Sequence, residues 1–144
     1  MNGTNDTTPT VAQTLAPLIA TAISIRDGLK TAVTQLNLAL ENESAKRRTA
    51  KELRQMYDEA EAEFIAEVMP NLTGKNAESR KAELDAALVT ARRDGTLANL
   101  WAQSTAAAYD AEDAKVGLDQ CAKSFHATEA AANLTAAILN AAAK

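Results

Sequence analysis

Aromatic side chains make up only 3% of this 144-residue chain: two Phe, two Tyr and one Trp. So few cannot fill the interior of a β-sandwich or a doubly wound α/β domain, whose strands need β-branched and aromatic residues. Five Gly and three Pro are likewise too few for the turns of an all-β fold. A single cysteine, Cys121, excludes an intramolecular disulfide, and with one His, His126, it cannot make a structural zinc site. No stretch of about 18 apolar residues is present, and the opening MNGTNDTTPT has neither a basic nor an apolar segment of the secretory kind. These absences set the expectation of a soluble cytoplasmic protein with no membrane partner.

What fills the space is alanine, 33 residues of it. Alanine has the highest helix propensity and glycine one of the lowest, so the class is all-α. Residues 1–9 are polar, end at Pro9 and read as a disordered tail, with a helix start near Thr10. Val11, Leu18, Ile25, Ala32, Ala39, Leu53 and Ala60 share one position of a seven-residue repeat. Leu15, Ala22, Leu29, Leu36, Ala50, Tyr57 and Phe64 share the position four residues later. This four-three spacing holds its phase from 11 to 64, interrupted only by Glu43 and Lys46, and predicts a long helix over about 10–68 packed in coiled-coil fashion. Pro17 and Gly28 allow a bend between them.

The residue before Pro70 is pushed out of helical conformation and Gly74 loosens the backbone, so 69–75 reads as a loop. A short helix follows over about 76–93, with Leu84, Ala87, Leu88 and Ala91 on one face; Asp94-Gly95 breaks it. The third helix runs over about 96–142. Its seam is Leu97, Ala111, Leu118, Phe125, Ala132 and Leu139 with Leu100, Ala107, Ala114 and Cys121 three residues on. Small seam residues let helix axes approach closely. The expected architecture is one helical domain, 10–144: a long antiparallel helical hairpin with a short helical insert at the turn. If residue 68 lies opposite 96, Lys144 lies opposite Ala20 and residues 10–20 overhang by about 16 Å. Val11, Leu15, Leu18 and Ile19 would then be uncovered, and an apolar stripe of that kind marks an interface. The expected partner is a second copy, with a dimer favoured.

Net charge is −4, so no whole-protein field attracts nucleic acid. Charge is segregated, however. Lys46, Arg47, Arg48, Lys51 and Arg54 precede a stretch holding Asp58, Glu59, Glu61, Glu63 and Glu67. Arg47, Lys51 and Arg54 recur at helical spacing and form a stripe able to follow a phosphate backbone; the plainer reading is a solvated face with pairs such as Arg54–Asp58 and Arg48–Glu52. The acidic stretch lacks the Glu-x-x-His pattern of a di-metal bundle. Cys121, between Leu118 and Phe125, reads as a small seam hydrophobe. No nucleophile–base pair, nucleotide-binding loop or metal cluster can be assembled, so the expectation is a non-enzyme without cofactor or metal.

The loop Leu72-Thr73-Gly74-Lys75-Asn76-Ala77-Glu78-Ser79-Arg80 is no phosphate-binding loop, because position 69 holds Met where that motif needs Gly. Asn76 reads as a helix N-cap with Glu78 in the first turn. The string TGKNAESRKAELDAAL between two long helices resembles a family of small helical proteins encoded by bacteriophages and prophages. Gly74, Lys75, Asn76, Glu78, Arg80 and Leu84 carry the resemblance, over about residues 40–140. It implies a phage-encoded protein of the host cytoplasm that accompanies recombination and replication proteins. With Lys75, Asn76 and Arg80 at the hairpin tip, the tip could grip an anion or an acidic partner surface. Three functions are in view: a non-catalytic protein binding a host or viral protein, a DNA-binding accessory using the basic helix stripe, and a structural or scaffolding component of the virion.

Overall fold

The computed structural model describes residues 10–144, so the tail expected over 1–9 lies outside the described residues. The described chain is all-α: α1 spans Val11–Val68, a 3₁₀ turn spans Met69–Asn71, α2 spans Ala77–Asp94 and α3 spans Ala98–Ala142. Among the described residues there is no strand. The elements stand where the seven-residue spacing and the Pro70, Gly74 and Gly95 breaks put them. α1 continues without interruption through Pro17.

The chain divides into two compact units, residues 41–116 and residues 1–40 with 117–144. The first holds the turn of the hairpin. Tyr57, Ala91 and Leu97 form its core, one residue each from α1, α2 and the turn before α3, with Ala60, Phe64, Leu88, Leu100 and Trp101 packed around them. Tyr57 and Trp101 lie 5.1 Å apart, ring centre to ring centre. Residue 57 is therefore level with 101, and the expected pairing of 68 with 96 is corrected. The reason is packing: Phe64, near the end of α1, lines a groove with Ala86, Ala87, Thr90 and Ala91 of α2. The end of α1 thus overruns α3 and spends its apolar face on the insert.

The turn from α2 to α3 is tight. Gly95 and Leu97 both donate backbone N–H to the Ala91 carbonyl, each at 3.2 Å. A Cβ on Gly95 would come within 2.8 Å of the Ala91 Cα, so only glycine lets the chain fold back this closely.

Glu43, read as an interruption of the seam, sits inside it at 6% exposure, and the exposed Arg47 one turn on reaches back to it, Nε to Oε1 at 2.8 Å. Lys46, the other interruption, is exposed. A carboxylate in an apolar seam with a single flanking cation is a stability cost. Glu43→Leu is expected to raise unfolding stability by about 1–2 kcal/mol, because Arg47 can turn to water; urea denaturation measures it.

In the second unit the N-terminal part of α1 pairs antiparallel with the C-terminal part of α3. A Cβ placed on Gly28 would lie 4.0 Å from the Thr128 methyl, and Ala22, Ile25 and Leu29 share a groove with Ala132, Thr135, Ala136 and Leu139. On this register Leu18 is level with Ile138 and Leu15 with Ala141. Leu15 and Leu18 are accordingly half-buried. The expected overhang of 10–20 is corrected to the first turn of α1, and of the four residues assigned to it only Val11 and Ile19 are exposed.

Candidate functional site

The resemblance-bearing loop is built as a self-contained cap. The Asn76 side chain accepts from the Ser79 backbone N–H at 2.7 Å, the N-cap its residue type predicts. Arg80 Nε donates to the Gly74 carbonyl at 2.8 Å, and Glu83 accepts from the Thr73 N–H at 2.8 Å and its hydroxyl at 3.2 Å. Gly74 is buried under the first turn of α2, where a Cβ would stand 2.6 Å from Ser79 Oγ and 2.7 Å from the Arg80 nitrogen. The motif thus has a structural account: Gly for close approach, Asn to cap, Arg and Glu to hold the two ends of the loop. Lys75 is exposed, and so are Asn76 and Arg80.

Behind the loop lies an open groove of about 320 Å³ lined by Met69, Leu72, Ala77, Arg80, Lys81 and Leu84. Its floor is apolar and its charged rim is wholly basic. Of the expected tip residues the structure brings Arg80 to this groove, while Asn76 serves the cap. Met69, Leu72 and Lys81 are additions. Leu72 and Met69 fall in the segment where periodicity ends, so no spacing argument marks them; their only sequence signal is two large apolar residues inside a turn.

The three-helix junction is held by a second cluster that spacing did not anticipate. Arg92 donates from Nε to the Tyr57 hydroxyl at 2.5 Å and from a terminal nitrogen to Glu61 at 3.0 Å. Its guanidinium lies 4.8 Å from the Trp101 ring centre, within cation–π range. The Tyr57 hydroxyl hydrogen bond is the main influence holding the Glu61 carboxyl below its ordinary value, with Arg92 adding to it against the opposing effect of burial. Burial pushes the Tyr57 phenol above its ordinary 10.0. Glu61 therefore contributes stability that is complete above about pH 4.5 and is lost as pH falls through its lowered folded value. Tyr57 contributes stability that is complete below about pH 10 and is lost as pH rises through its raised folded value. Urea titrations across pH are expected to show both limbs, and Glu61→Gln to flatten the acid one.

The five bases of the DNA reading all lie exposed on α1. Two are engaged: Arg47 with Glu43, and Arg54 with Asp58 at 2.9 Å, the pair expected from their spacing. Arg54 also lies 5.5 Å from the Tyr57 ring centre. Among the described residues Arg48 and Glu52 make no ion pair. Arg47, Lys51 and Arg54 each stand one residue after a seam position and so share one flank of α1, the stripe their spacing predicts, while Lys46 is on the seam side.

Comparison with protein families, curated proteins and solved structures finds no match.

Among the described residues no group of three or more His, Cys, Asp or Glu stands close enough to hold a metal ion, and no helix is long and apolar enough to cross a membrane. Cys121 is half-buried in the seam. His126 is exposed beside Glu129, 3.5 Å from Nδ1 to carboxylate.

Proposed function

We propose that this chain is a non-catalytic helical interaction protein, encoded by a bacteriophage or prophage and working as an oligomer in the host cytoplasm, that binds a host or viral protein through the groove at the hairpin tip. One observation carries the reading: an apolar floor of Met69, Leu72, Ala77 and Leu84 with an all-basic rim of Arg80 and Lys81, set on a loop braced by the Asn76, Arg80 and Glu83 hydrogen bonds. A rigid loop presenting such a groove loses little entropy on binding. The complement is an amphipathic segment with apolar side chains on one face and carboxylates beside them, the helix-in-groove or acidic-motif mode.

A photo-crosslinking residue placed at Met69 and expressed in the host tests it. The expected product is one major adduct whose attached peptide is acidic and amphipathic, lost with Lys81→Glu. Lys81 is the residue to reverse because Arg80 also holds Gly74. No adduct above that from the exposed Tyr109 overturns the tip assignment. Duplex-DNA retention that falls steeply with salt would replace it with the DNA-binding reading, and recovery from purified particles would make the chain a virion component.

A further inference from the structure

The tip groove has a continuation along α1. Lys51, Gln55, Asp58, Ala62, Ile65 and Met69 recur at intervals of four and three residues, so they stand in one line on a single flank of the helix. Val68 keeps helical backbone, φ −81° and ψ −36°, so Met69 follows in phase although α1 ends before it. At the far end of the line an open trough of about 460 Å³ is lined by Lys51, Arg54, Gln55, Asp58, Glu59 and Ala62. At the near end Met69 belongs to the tip groove. Ile65, half-buried, stands between the two, about one turn from Ala62 and one from Met69. From Lys51 to Met69 the line is about 27 Å long.

Charge changes sign twice along it. Arg80 and Lys81 rim the tip groove, Asp58 and Glu59 hold the middle, and Lys51 and Arg54 close the far end. Asp58 is spent on Arg54 at 2.9 Å, whereas Lys51 makes no ion pair among the described residues and Glu59 has only an amide hydrogen bond from Gln55 at 3.0 Å. A phosphate strand laid here would run from bases onto carboxylates, so the alternation suits a polypeptide whose own charges alternate. The four-three spacing suits a helix, because such a row packs against the same row on another helix. Strand addition needs a sheet edge, and there is no strand among the described residues. A proline-rich segment needs a groove lined with aromatic residues, and the line holds none.

We propose that the tip groove is one end of a longer docking surface, and that its occupant is a single amphipathic α-helix of about 18 residues laid along α1 from Met69 to Lys51, with a carboxylate at each end and a base between them. This partner rests on the tip reading and gives it a form, a length and an order of charges. Apolar side chains of the helix pack on Met69, Ile65 and Ala62. Its end carboxylates meet Lys81 with Arg80 and, five turns away, Lys51; its base meets Glu59.

A photo-crosslinking residue at the exposed Gln55, in a variant separate from the one at Met69, tests this. The two positions are about 21 Å apart along α1. One helix covering both gives two adducts on a single segment of a single partner, with the attached residues about 14 positions apart. An extended segment places them about 6 apart, and that result overturns the inference, as do adducts on different segments. So does a Gln55 variant that gives no adduct above the Tyr109 background while the Met69 adduct forms; the tip reading then stands without the longer surface. Absence of the Met69 adduct removes the tip reading and the helix with it. Lys51→Glu, a change on exposed helix surface, is expected to lower both yields about fivefold, and unchanged yields also overturn the inference.

Discussion

Replacing Arg92 with alanine is expected to lower unfolding stability by about 2–3 kcal/mol. The guanidinium satisfies the hydroxyl of fully buried Tyr57 and the carboxylate of half-buried Glu61, and it lies against the Trp101 ring. Its loss leaves the Glu61 carboxylate at the edge of the core with the Tyr57 hydroxyl and only the weaker influence of Arg54. Removing one partner of a fully buried pair costs about 3–5 kcal/mol; partial access of water to Glu61 reduces the figure. Trp101 is the chain's one tryptophan, so urea denaturation followed by its fluorescence reads the junction directly. Arg92→Ala combined with Glu61→Ala is expected to cost less than the sum of the single changes, because the second removes the stranded charge.

Leu97→Ala carries the larger effect, about 3–4 kcal/mol. Leu97 is 1% exposed and packs with Tyr57 and Ala91 where α2 turns into α3. The turn itself is held by two N–H groups on one carbonyl, that of Ala91, so it cannot collapse into the space a leucine leaves. The same denaturation measures it. Leu97→Ala is also expected to weaken the Met69 adduct, since α2, which supplies Ala77, Arg80, Lys81 and Leu84 to the groove, is anchored at its other end by this residue.

Much of the fold was legible because one repeat governs it. Alternating four-three spacing marks a helical seam whether the residue is Leu or Ala, and every position it assigned to the seam from Leu15 to Phe64 and from Leu97 to Leu139 is buried or half-buried. Val11 is the exception, lying beyond the end of the partner helix. Glu43 shows the limit of the pattern: its polarity argued for the outside, but the helix phase places it inside, and Arg47 makes that tolerable. Register was misjudged by several residues because spacing fixes which face is buried and not which helix covers it. The end of α1 faces α2, a choice made by Phe64 and the small face Ala86, Ala87 and Ala91.

The candidate site was legible only in part. Gly74 and Asn76 announce a capped loop through backbone demands that those residue types meet. The groove behind it arises from where Met69 and Leu72 come to rest against α2, which no local pattern encodes. Arg92, last-turn base of an ordinary-looking helix, carries no signal that it reaches Tyr57 across 35 positions.

The most direct test of the tip reading is methyl NMR of the full chain with labelled methionine, titrated with the segment captured at Met69. Met56 and Met69 are both about half exposed, Met56 on the flank of α1 and Met69 in the groove. The Met69 methyl is expected to shift and saturate while Met56 stays in place, and Lys81→Glu to abolish the shift. A shift at Met56 with Met69 unmoved, or a Met69 shift untouched by Lys81→Glu, would contradict it.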